Sequence, residues 1–109
     1  FGQILKEIRR DKEVSQRDLA ESVGVDFSYI SKIENDRLPP PSADTVEKIC
    51  KVLHVPSEVL LAQSGKMSSG IKNALVSSTE AMRFMNEALR LKLTDDDWIN
   101  LTQKMKRLK

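Results

Sequence analysis

The stretch from Ser15 to Asn35, SQRDLAESVGVDFSYISKIEN, constrains this chain more than any other. Apolar residues stand at Leu19, Val23, Val25, Ile30 and Ile33, and most positions between them are polar. That spacing predicts two short amphipathic helices that share one buried side. Ser15 is placed to cap the first, with Asp18 three residues on as an acidic capping-box partner. Ala20 supplies the small side chain that lets two helices cross closely. Gly24 supplies the positive φ that a reversal within a few residues favours. Asp26 is placed to cap the second helix, which runs to about Asn35.

The rest of the chain reads as helix, and strand signals are nearly absent. Phe1, Ile4, Leu5 and Ile8 give a first helix from about Gly2 to Lys12, with Lys6, Arg9, Arg10 and Lys12 on its polar face. Pro39-Pro40-Pro41 cannot continue a helix, because consecutive prolines remove donors and force extended backbone. Ser42 then caps a helix whose inner stripe is Val46, Ile49, Cys50 and Leu53. Pro56 fits the first turn of a fifth, short helix ending near Ala62. The Ser/Gly-rich run Gln63 to Gly70 reads as a hinge, dividing a domain at 1–65 from a helical extension at 66–109.

In that extension Ile71, Ala74 and Leu75 suggest a brief helix. Thr79 is placed to cap a longer one containing Met82, Phe84, Met85, Ala88 and Leu89. Thr94-Asp95-Asp96-Asp97 is a strong start for the last helix: a capping hydroxyl followed by acids that suit the positive helix end. Consecutive acids on a helix point in different directions, so this run reads as a charged first turn and not as a metal site. Trp98, Leu101, Met105 and Leu108 then form a narrow apolar seam.

The Ser15–Asn35 pattern resembles the helix-turn-helix of the phage repressor/Cro (Xre-type) regulators. Ser15-Gln16, Leu19-Ala20, Val23-Gly24-Val25 and Tyr29-Ile30-Ser31-Lys32-Ile33-Glu34-Asn35 carry the resemblance. Leu38 to Ser42 and the run Val46…Ile49…Leu53-His54-Val55-Pro56 extend it through the last two helices of the domain. The resemblance covers residues 1–65 and implies an all-α, five-helix DNA-binding domain with its third helix in the major groove. It implies base contacts from Phe27, Ser28, Ser31 and Lys32. Gln16, Tyr29, Asn35 and Arg37 would hold phosphates and set register. Arg9 and Glu34 would form a partly buried ion pair that belongs to the scaffold. For Phe27, an alternative is a satellite core position. Asp26 and Asn35-Asp36 depart from the family's usual Ser/Thr and Asn-Gly. Asp26 places a negative charge near phosphates, and one residue of Asn35-Asp36 has to take a left-handed conformation.

Charge qualifies that implication. The chain carries 18 basic and 16 acidic residues, but residues 1–65 hold nine against eleven, a net of −2. The excess lies in the extension, with Lys104, Lys106, Arg107 and Lys109 at its end. Binding is therefore expected to rest on a few placed donors and not on a broad positive field. Cys50 is the only cysteine, which excludes an internal disulfide and suits a cytoplasmic, nucleoid-associated protein of prokaryotic or phage type. The only histidine is His54, and no nucleophile–base pair, phosphate loop or metal-spaced ligand set is present, so neither an enzyme nor a cofactor is expected. No apolar run is long enough to span a membrane.

A short extension buries little by itself. Met82, Met85, Leu89, Trp98, Leu101 and Met105 are therefore expected to pack either on the first domain or on a second copy of the chain. The second option fits a two-fold dimer reading a palindrome on double-stranded DNA. The sequence thus predicts a regulator, most simply a repressor. The alternative is an antitoxin-like or adaptor subunit that uses the same fold to bind a protein.

Overall fold

Eight α-helices and no strand make up residues 1–109 in the computed structural model: α1 (Gly2–Asp11), α2 (Gln16–Val23), α3 (Phe27–Glu34), α4 (Ala43–Leu53), α5 (Ser57–Ser64), α6 (Ser69–Val76), α7 (Thr79–Leu91) and α8 (Asp95–Lys106). They divide into two compact units, Phe1–Ile71 and Lys72–Lys109.

The first unit is built on one core. Leu5, Leu19, Ile30, Ile33, Val46, Ile49, Leu53 and Leu60 are fully buried, with Ala20, Cys50 and Leu61 closing the gaps. α2 packs on α3 and α4, α1 on α3, and α5 on α4. Val14, Val23, Val25 and Tyr29 lean on this core from its edge. Burying a leucine or isoleucine side chain is worth about 1.5–3 kcal/mol, so the crossing of short helices is held by side chains, not by helix propensity.

The helix ends follow from local chemistry. The Ser15 hydroxyl accepts from the Asp18 N–H at 3.0 Å, and the Ser42 hydroxyl accepts from the Thr45 N–H. Gly24 ends α2 at φ 85°, and both its N–H and that of Val25 reach the Ala20 carbonyl at 2.9 Å. Asp26 occupies the start of α3 in extended backbone, but its side chain makes no capping hydrogen bond. Pro56 stands just outside α5 and not within its first turn.

The end of α3 explains one departure from the family pattern. Arg37 N–H donates to the Lys32 carbonyl and Asp36 N–H to the Ile33 carbonyl, a Schellman closure that requires a left-handed residue between them. Asp36 takes it, at φ 56°. Its carboxylate Oδ1 also accepts the Gly2 N–H at 3.3 Å. Phe1 offers α1 no side-chain cap, so Asp36 supplies from across the fold an acceptor that the helix start lacks. A glycine there would relieve the backbone and lose the cap. Gly2 itself is buried against this turn: a Cβ on it would sit 2.4 Å from the Ile33 carbonyl oxygen and 2.6 Å from that of Glu34.

Serine hydroxyls shape the stretch read as a hinge. The Lys66 N–H donates to the Ser64 Oγ, the Ser69 Oγ donates to Asp44 Oδ1, and the Ile71 N–H donates to the Ser68 Oγ. Gly65 ends α5 in the left-handed region at φ 67°.

The second unit contains the α7–α8 hairpin. Ser78, not Thr79, caps α7 by accepting the Ala81 N–H. Thr94 and Asp97 form a complete capping box on α8, which accounts for one acid of the triplet. Ala88 is the one buried hydrophobic residue of this unit, whereas Phe84, Leu89, Leu91, Ile99, Met105 and Leu108 are each more than half exposed.

Candidate nucleic-acid interface

Glu34 ties the three helices of the interface together. Its side chain is fully buried at the end of α3, and Arg9 of α1 meets it twice, Nε to Oε2 at 2.6 Å and Nη2 to Oε1 at 2.9 Å. Gln16, the first residue of α2, donates its Nε2 to Oε1 at 2.9 Å. The remaining Arg9 donor, Nη1, reaches the Val14 carbonyl in the α1–α2 turn. Burial alone pushes the Glu34 carboxyl up. Hydrogen bonds from Arg9 and Gln16, with the charges of Arg9 and Lys6, outweigh that and hold it below its ordinary value. Arg9 is raised in turn, chiefly by its hydrogen bond to Glu34.

That bond set orients α3. Ile30 and Ile33 point into the core, and Ser28 and Lys32 are exposed one turn apart with Ser31 half-buried beside them. Phe27 is 44% exposed at the first turn. The other sequence-predicted residues divide. Tyr29 is half-buried against the core edge. Asn35 turns its Nδ2 back to the Ser31 carbonyl at 3.0 Å. Arg37 is exposed. Gln16 spends its amide nitrogen on Glu34, so it fixes the frame as well as standing at the surface.

A cleft of about 440 Å³ lies beside α3, lined by Lys6, Arg9, Arg10, Ser15, Gln16, Arg17, Phe27 and Asn35. Lys6, Arg10 and Arg17 were not among the residues expected at the interface. The signal was present: Lys6 and Arg10 are four apart on α1, on the face that also carries Arg9. None of the three forms an ion pair. The guanidinium carbon of Arg17 lies 5.1 Å from the centre of the Phe27 ring.

The residues expected to pair copies of the chain separate into two groups. Trp98, Leu101 and Met105 line a groove of about 270 Å³ with Phe84 and Leu108. Met82, Met85 and Leu89 follow a different stripe of α7, since Phe84, Ala88 and Leu91 share the other one at i, i+4, i+7 spacing. No helix is long and apolar enough to cross a membrane.

Comparison with known proteins identifies the family and the fold. The helix-turn-helix family matches residues 5–60. An uncharacterized HTH-type transcriptional regulator of Bacillus subtilis, RghRB, is 39% identical over 69 residues, which is 63% of this chain and 50% of that protein. A crystal structure of SinR, the master regulator for biofilm formation, in complex with DNA matches 55% of this chain and 95% of its own, at 42% identity and a TM-score of 0.52. A SinR/SinI protein complex matches 99% of this chain and 98% of its own, at 27% identity and a TM-score of 0.53. The chain spans about half the length of the curated relatives it matches, and those relatives are named as transcriptional regulators, not enzymes. With a matched family over half its length, this chain belongs to the phage repressor/Cro-like (Xre-type) helix-turn-helix family of transcriptional regulators.

Proposed function

We propose that this chain is a sequence-specific DNA-binding repressor that acts in the cytoplasm as a homodimer on a palindromic operator. The observation that carries the reading is the α3 face of Ser28, Ser31 and Lys32, anchored from behind by Glu34 and flanked by a cleft in which Lys6, Arg10 and Arg17 form no ion pair. Lysine donates to guanine O6 and N7, and serine pairs with several bases. Tyr29, Asn35, Arg37 and the exposed part of Gln16 are the proposed backbone contacts that set register. Residues 1–65 are the proposed DNA-binding part and 66–109 the assembly part. An apolar groove around Phe84, Trp98 and Met105 suits a second copy of the same hairpin, since a two-fold axis brings identical faces together. Two recognition helices would then meet successive major grooves about 34 Å apart.

The test is selection of genomic duplexes on the full chain, followed by binding of the recovered operator to Lys32→Ala. A palindrome with half-sites one helical turn apart, and a loss of preference at one or two positions in the variant, are the expected results. Recovery of no enriched sequence would refute the reading.

The exposed α7–α8 surface also favours a second reading, in which a protein partner occupies it; the neighbour solved as a SinR/SinI complex supports this. Sedimentation of the full chain separates the two. A dimer that Trp98→Glu converts to monomer supports self-association, and a monomer at micromolar concentration supports the partner.

A further inference from the structure

We propose that Arg17 grips the DNA backbone and that the Phe27 ring holds it in place for that task instead of reading a base, an inference that rests on the DNA-binding reading above. The two residues come from the two helices of the motif, and the guanidinium carbon stands 5.1 Å from the ring centre. An arginine seated on an aromatic face spends only the face of its planar guanidinium on the contact. Its N–H donors lie in the plane and remain free for a bidentate grip on phosphate. Seating it also removes side-chain freedom before DNA arrives, and that freedom is otherwise lost on binding.

The surroundings point to an anion. Arg17 shares its cleft with Lys6 and Arg10, neither of them in an ion pair. Glu34, which bonds to Arg9 and Gln16 of the cleft lining, is already neutralised by Arg9. The cleft therefore presents three cations outside any ion pair in a domain whose net charge is −2. In an acidic domain, a cation fixed in position contributes more than one that wanders, because the long-range field does not help.

Phe27 is 44% exposed and so available to a thymine methyl, which is the competing role. The two roles differ in what they predict for other substitutions. A base reader acts whatever residue stands at 17. A platform acts only through Arg17.

The experiment is a double-mutant cycle on the full chain with Arg17→Gln, Phe27→Leu and the pair. Each is titrated by fluorescence anisotropy onto one mixed-sequence duplex from about 50 to 200 mM salt. Both side chains lie outside the core, so thermal melts of the variants serve as folding controls. Arg17→Gln should lower the slope of log affinity against log salt by about 0.9 per protomer, the value for one phosphate no longer neutralised. Phe27→Leu should weaken binding to that duplex about two- to fivefold. It should add nothing in the Arg17→Gln background. An unchanged salt slope in Arg17→Gln overturns the proposal, and so does a Phe27→Leu loss of equal size with and without Arg17. Wild-type protein that fails to bind any duplex overturns the DNA-binding reading as well; wild-type binding with a flat cycle overturns this inference alone.

Discussion

Replacing Arg9 with methionine leaves the Glu34 carboxylate buried at the meeting of three helices with one amide for company. The substitution removes two charge-assisted hydrogen bonds of 2.6 and 2.9 Å to Glu34 and a third donor from the Val14 carbonyl. The fully buried Glu34 side chain cannot recover them from water. Breaking a buried pair from one side costs about 3–5 kcal/mol, while a unit of this size is held by about 4–11 kcal/mol in all. Arg9→Met should therefore lose about 3–5 kcal/mol, a large share of the stability of residues 1–71, at neutral pH. Arg9→Met/Glu34→Leu removes the stranded charge and should regain much of the loss, since apolar replacement of a buried pair is often neutral or better. Urea denaturation followed by thiol labelling of Cys50, which sits in the same core, reads this unit without interference from the hairpin. A loss below about 1 kcal/mol, the range of exposed pairs, would refute the argument, as would a double variant no more stable than the single one.

Three further outcomes follow from features of the same unit. The Glu34 carboxyl is lowered on folding, so its contribution is complete above the ordinary carboxylate range near pH 4. That contribution is lost as pH falls through the lower folded value; the stability advantage of wild type over Glu34→Gln should shrink on acidification, and an advantage independent of pH would contradict it. Gly2→Ala gains helix propensity but drives a Cβ into two backbone oxygens of α3; a net loss of about 1–3 kcal/mol is expected in denaturant titrations, and a stabilised variant would show that α1 can shift freely. Burial, with the charges of Glu47 and Glu58, pushes the Cys50 thiol up. Native protein should therefore resist thiol reagents at pH near 8 and react only as urea opens the core, whereas labelling at the rate of a free cysteine without denaturant would place Cys50 at the surface.

Much of the first unit was legible from residue order because its constraints are local. Ser15, Ser42 and Gly24 stand where caps and a reversal must be, and the apolar periodicity names the core from Leu5 to Leu53. What escaped was set by contacts between distant segments. Nothing near Gly2 in sequence reveals that Ile33 and Glu34 carbonyls crowd it, and nothing near Asp36 reveals that its carboxylate serves α1. The basic cleft needed α1, α2 and α3 assembled before Lys6, Arg10 and Arg17 converged. In the hairpin the period was clear but the face was not. Met82 and Phe84 are both apolar and two residues apart, and only the pairing of α7 with α8 shows that Phe84 accompanies Trp98 and Met105. Ser78 and Thr79 are adjacent capping residues, and their choice rests on one turn of backbone.

The division between a buried frame and the exposed residues proposed to read DNA also bears on how such a protein changes over generations. Glu34, Arg9 and Gln16 fix the pose of α3 from behind, and Ser28 and Lys32 take no part in that bonding. On the proposed DNA-binding reading, a descendant lineage can exchange the outward pair and meet a different DNA site without renegotiating the inner one. Drift at Arg9 has no such freedom, because losing it alone strands the buried charge of Glu34. By that reading, new specificity is reached by single steps on one side of a short helix, and the opposite side stays locked by the buried Arg9–Glu34 pair.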